Sequence, residues 1–128
     1  MADDRIPLLL IEDNPADRRL LAELLENTAP GRFRITSARR LSEGLEALEA
    51  GSFTAVLLDL SLPDATGVEA IEAVRRKAPS THVIVLSGML DDEIRRMTGE
   101  HGATASFVKG EDSIALLIDA IDEIRERG

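Results

Sequence analysis

A doubly wound α/β domain built on a parallel sheet is the fold class this 128-residue sequence predicts, and three observations predict it. Five apolar, strand-like runs alternate with five segments whose apolar residues recur at helical spacing, giving the order βαβαβαβαβα. The runs at 6–11, 53–58 and 82–87 are almost continuously apolar, the mark of parallel strands covered on both faces. The run at 33–38 alternates instead, as an edge strand does. With right-handed crossovers these strands make one open sheet, and such sheets bind ligands in the crevice outside the carboxyl ends of their strands.

Taken in order, the first strand is IPLLLI at 6–11, and Asn14-Pro15 behind it reads as a helix cap and first helical turn. Leu20, Leu21, Leu24 and Leu25 form the apolar stripe of that helix. FRITSA at 33–38 is the second strand, followed by a stripe of Leu41, Leu45 and Leu48. FTAVLL at 53–58 is the third, with Val68, Ile71 and Val74 on its helix; HVIVLS at 82–87 is the fourth, with Leu90, Ile94 and Met97. The short ASFV at 105–108 closes the sheet, and Ile114, Leu117, Ile118 and Ile121 mark the last helix. Pro30, Gly31, Gly51 and Gly102 punctuate helix ends. His82 and His101 fall at a strand start and a helix end, with no role assigned.

A chain of this length buries enough surface to fold as a single domain, residues 1–128, without disulfide or metal. Its formal net charge of −9 argues against nucleic-acid binding, because phosphates attract an excess of Lys and Arg. There is no Trp or Tyr, and three Phe are too few for base-stacking platforms. With no Cys, disulfides, thiolate metal sites and cysteine nucleophiles are absent, in keeping with a reducing compartment. No stretch is apolar enough to span a bilayer, and MADDRIP lacks the basic start of a secretory signal. The expected location is the cytoplasm, without membrane contact.

The chemistry gathers at the carboxyl ends. Strand one runs into Glu12 and Asp13, strand three into Asp59, strand four ends on Ser87, and strand five is followed at once by Lys109. Each has an ordinary reading alone: a helix cap, a solvated strand end, a turn aspartate, a loop hydroxyl, a surface lysine. Those readings would have to coincide at five positions that topology brings to one rim. Carboxylates crowded there raise one another's pKa unless a cation neutralises them. An all-oxygen donor set that leaves room for water and phosphate suits Mg²⁺ better than Zn²⁺ or a Ca²⁺ cage.

With Glu12-Asp13, "LLDLSLPDATG" around Asp59, "VIVLSG" around Ser87 and "GATASFVKG" around Lys109, the chain resembles the CheY-like receiver domains of bacterial two-component response regulators. The resemblance implies a flavodoxin-like (βα)5 fold with strand order 2-1-3-4-5. It implies that Asp59 is a phosphoacceptor, charged by a histidine kinase or histidine phosphotransfer protein. Glu12, Asp13, Asp59 and the backbone carbonyl of Ser61 would hold Mg²⁺, and Lys109 and Ser87 would contact the phosphoryl group. Gly88 would keep bulk away from it, and Gly67 would permit the loop conformation after Pro63. Such a domain modifies itself and dephosphorylates slowly, rather than turning over a released substrate. It signals to an output protein or domain, with a homodimer allowed.

Two positions depart from the family pattern. The switch aromatic, which pairs with Ser87 and Gly88 in the implied readout, falls on Ser106, which has no ring to turn inward. Gly110 stands where proline usually follows the lysine. A cis bond before glycine costs about 2.5–4 kcal/mol, so Lys109–Gly110 is expected to be trans. Two other readings compete: a receiver serving only as a non-phosphorylated scaffold, and an aspartate-nucleophile phosphatase. The phosphatase needs a second Asp two residues after the nucleophile, where this sequence has Ser61.

Overall fold

The structure, a computed structural model, describes residues 3–127. Met1, Ala2 and Gly128 of the expected 1–128 domain, and so the first two residues of MADDRIP, lie outside the described residues. The elements run β1 (Ile6–Ile11), α1 (Pro15–Thr28), β2 (Phe33–Ala38), α2 (Leu41–Ala50), β3 (Ala55–Asp59), α3 (Gly67–Lys77), β4 (His82–Ser87), α4 (Asp92–Glu100), β5 (Ala105–Val108) and α5 (Ile114–Arg127). A single 3-10 turn, Glu111–Ser113, leads into α5. All strand pairs are parallel, in the order β2-β1-β3-β4-β5, as the sequence predicts. β3 starts at Ala55, two residues later than expected, and extends to Asp59, so that carboxylate stands on the strand itself.

Alternation along each strand divides the core in two. Leu8 and Leu10 of β1, Leu57 of β3, and Ile84 and Leu86 of β4 face a layer with Leu25 of α1 and Leu117, Ile118 and Ile121 of α5. Leu9, Ile11, Val56, Leu58, Val83 and Val85 face the other layer, with Ile71 and Val74 of α3 and Leu41 of α2. Leu57, Leu58, Ile71 and Ile121 are completely buried. Burying a side chain of this kind contributes roughly 1.5–3 kcal/mol.

Local chemistry fixes the helix starts. Asn14 Oδ1 accepts the N–H groups of Ala16 and Asp17, and Pro15 takes the first helical position, as expected. Thr66 and Glu69 close a capping box on α3, and Asp91 caps α4 by accepting from Ile94. α2 has no cap of its own: the Asp64 carboxylate, from the loop after β3, accepts the N–H groups of Leu41 (2.9 Å) and Ser42 (3.1 Å).

Three expectations need correction. Leu20 is 47% exposed, because α1 turns Leu21, Leu24 and Leu25 inward and a stripe of that width has no room for a fourth leucine. In α4 the completely buried residue is Thr98, while Ile94 and Met97 are half-buried and Leu90 precedes the helix. Gly67 shows no positive φ; it opens α3 against Leu60, whose Cδ2 would lie 2.8 Å from an added Cβ, so a larger residue there would shift the end of the Leu60 side chain and meets no backbone restriction.

Candidate functional site

The main-chain ladder carries the site residues to the rim. The Glu12 N–H donates to the Ala38 carbonyl (2.9 Å), extending the β1–β2 pairing by one residue. The Lys109 N–H donates to the Ser87 carbonyl (2.8 Å), doing the same beyond β5. Arg18 of α1 donates through Nη1 to the Glu12 carbonyl (2.8 Å), so the first helix is tied to the end of the first strand.

Glu12 and Asp59 are each only 3% exposed, whereas Asp13 is open to solvent. One carboxylate oxygen from each of the three lies within 4.8 Å of the others. Lys109 Nζ sits among the acids, 2.5 Å from Glu12 Oε1, 3.2 Å from Asp59 Oδ1 and 3.1 Å from Asp17 Oδ2. The second Glu12 oxygen accepts from the Asn14 N–H (3.2 Å), and Asp59 Oδ1 accepts from the Ser61 N–H (3.2 Å).

Burial pushes the Glu12 carboxyl up to about 7, with the Asp59 carboxylate adding to it and Lys109 pulling the other way. Burial also works against the charged form of Lys109, but hydrogen bonds to Glu12 and Asp17 and the nearby Asp59 outweigh it and hold the lysine above its ordinary value. The rim is therefore an anionic cluster whose carboxylates are met by the Lys109 ammonium. Buried hard oxygens close enough to share one ion, with an exposed third donor, fit a divalent cation such as Mg²⁺ that keeps several waters.

Of the residues expected at the site, Glu12, Asp13, Asp59 and Lys109 are brought together. Ser61 neighbours Asp59 through its N–H. Ser87 ends β4 at the same rim, but its hydroxyl donates to the Met89 carbonyl (2.6 Å), holding the following loop instead of pointing to Asp59. Gly88 faces open space, with no atom within 4 Å of an added Cβ. Ser106 lies away from the rim on β5, 3% exposed, where Thr98 shares a hydrogen bond with its hydroxyl (2.9 Å) and Arg95 donates to its carbonyl (3.0 Å). Gly110 follows a trans peptide bond, and its φ of 128° with ψ −179° is a conformation essentially confined to glycine.

The sequence reading missed Asp17. Its signal was available: the first turn of a helix capped at Asn14 has to lie at the rim where β1 ends.

Sheet order and rim together define the class, a CheY-like α/β domain with its polar site outside the carboxyl ends of the strands. The family model "Response regulator receiver domain" matches residues 8–122, and the chain belongs to that family, the receiver domains of two-component signalling. Among curated relatives, the Escherichia coli sensor protein TorS is 32% identical over 97 residues, covering 74% of this chain and 10% of TorS. The probable transcriptional regulatory protein SgaR of Hyphomicrobium methylovorum is 29% identical over 124 residues, 96% of this chain and 58% of SgaR. The chain thus spans from a tenth to somewhat over half of these relatives.

Among solved structures, a CheY-like receiver domain protein from Methanospirillum hungatei superposes with a TM-score of 0.81 at 24% identity, covering 97% of this chain and 99% of that one. The response regulator TrrA of Thermotoga maritima, solved in complex with Mg²⁺ and BeF, gives a TM-score of 0.77 at 23% identity over 93% of this chain and 98% of its own. Among the described residues no helix is long and apolar enough to cross a membrane.

Proposed function

We propose that this chain accepts a phosphoryl group on Asp59 in a Mg²⁺-dependent reaction and relays the change to a partner. The observation that carries the reading is the buried Asp59 carboxylate, placed between Lys109 Nζ on one side and the oxygens of Glu12 and Asp13 on the other. An Asp59 oxygen attacks phosphorus on a phosphohistidine of a kinase or histidine phosphotransfer protein. The P–N bond breaks with its electron pair left on the imidazole. Such transfers pass through a loose transition state that asks for positioning and positive charge more than for covalent help.

Glu12, Asp13, Asp59 and the Ser61 carbonyl would hold Mg²⁺, which when bound neutralises charge on the transferring group. Lys109 holds the Asp59 side of the reaction, a compact ammonium on a flexible stem. TrrA, which shares this fold, was solved with Mg²⁺ and BeF, in keeping with a Mg²⁺ site here.

Ser87 would donate to the phosphoryl group. To do so it must release the Met89 carbonyl, and the loop from Gly88 to the start of α4 at Asp92 has to follow. That loop, rather than an aromatic ring at Ser106, would carry the readout to an output protein or domain or to a second copy. The protein would act in the cytoplasm as a self-modifying switch with slow dephosphorylation.

Incubation with acetyl phosphate, followed by intact mass, tests the assignment. One phosphoryl group is expected, dependent on Mg²⁺ and absent from Asp59→Asn. Equal labelling of that variant would sink it.

A further inference from the structure

Lys109 has three N–H bonds to donate, and three carboxylates surround it: Glu12, Asp59 and Asp17. Two of these belong to the acidic cluster that can share a cation; Asp17 does not. The backbone of Asp17 is fixed independently of the lysine, since its N–H donates to the Asn14 cap in the first turn of α1. Its carboxylate holds the ammonium from the helix side at 3.1 Å, as close as Asp59 does from the sheet side at 3.2 Å. A phosphoryl oxygen arriving on Asp59 needs a lysine N–H that is already engaged.

We propose that Asp17 is a positioning residue that competes with the phosphoryl group for Lys109, setting how tightly the phosphorylated state is held. The inference rests on Asp59 being the phosphoacceptor. When the anion arrives, Lys109 gives up Asp17 first, because Asp17 is half-exposed and water replaces the lost bond at little cost. Glu12, buried at the end of β1, has no such exchange with water.

The test uses beryllofluoride with Mg²⁺ as the probe, with binding followed by backbone amide shifts. Asp17→Asn is expected to bind it about three- to tenfold more tightly than the natural chain, the range expected for loss of one half-exposed charge-assisted bond. Asp17→Ala should do the same, which excludes an effect of the new amide. Glu23→Gln removes one charge from the same helix at an exposed position outside these contacts, and should leave the affinity unchanged.

A second readout needs no phosphoryl analogue. The chain has two lysines, so acetylation by a limiting reagent can be expressed as the ratio of Lys109 to Lys77 by mass spectrometry. That ratio should rise several-fold in Asp17→Asn.

Natural-strength binding in Asp17→Asn, an equal gain in Glu23→Gln, or an unchanged lysine ratio overturns the inference while leaving Asp59 in its role. A natural chain that binds no beryllofluoride overturns the phosphoacceptor reading and this inference with it.

Discussion

Leu57 of β3 and Ser106 of β5 are both buried in the same sheet, yet they are held by opposite means. Leu57 sits in a continuous apolar layer with Leu10, Ile84 and residues of α1 and α5. Ser106 lies beside Val85 in register, where its face of the sheet is covered by α4 through a hydroxyl pair with Thr98 and the Arg95 guanidinium. The centre must keep Glu12 and Asp59 fixed against their mutual repulsion, and dispersion spread over many contacts does that without depending on any one partner. A helix held by hydrogen bonds, each worth about 1 kcal/mol net, separates from its strand far more cheaply. The acids stand on the rigid part and the departure from the family pattern stands on the yielding part.

The most damaging way to probe this contrast is Leu57→Ala, which should cost about 2–5 kcal/mol in urea denaturation because a rigid layer cannot collapse around the void. A loss no larger than that of any α4 substitution would erase the distinction between the two regions.

Next in size is the electrostatic burden on the centre. Glu12 holds its proton to about pH 7 when folded, against an ordinary value of 4.5. The folded state thus binds more protons than the unfolded one between those limits, so its advantage is complete below pH 4.5 and disappears as pH rises through 7. The metal-free protein should lose on the order of 3 kcal/mol across that window, and Glu12→Gln should remove this slope. Melting curves at several pH values decide the matter. Identical slopes in the two proteins would show that the centre bears no such load.

The smallest effect belongs to the edge. Thr98→Val strands the Ser106 hydroxyl and should cost about 1–3 kcal/mol. The paired change Thr98→Val with Ser106→Ala should be closer to neutral, since both polar groups leave together. Faster amide exchange confined to α4 would accompany the single change. If the double substitution costs the sum of the two singles, the hydroxyls do not act as a pair.

The sheet and its order were legible because parallel, doubly covered strands write long apolar runs into the chain. The rim was legible because strand topology alone sends Glu12, Asp13, Asp59 and Lys109 to one edge, whatever their side chains do. What escaped depended on partners. Thr98 gives no signal in the sequence because its burial is set by Ser106 eight positions away, a polar-to-polar match that an apolar stripe does not reveal. The orientation of Ser87 toward Met89, and the reach of Lys109 to Asp17 on the far side of the sequence, are likewise decided by distances between elements. Gly110 was noticed as a departure, but its reason is a backbone angle that only the structure supplies.

The borrowed cap of α2 bears on the order of assembly. Leu41 and Ser42 find their acceptor in Asp64, which enters the chain after the whole of α2 and β3. A nascent chain released only as far as residue 60 contains every residue of α2 but not the carboxylate that satisfies its first turn. The second helix is thus finished from behind, by the loop that follows Asp59.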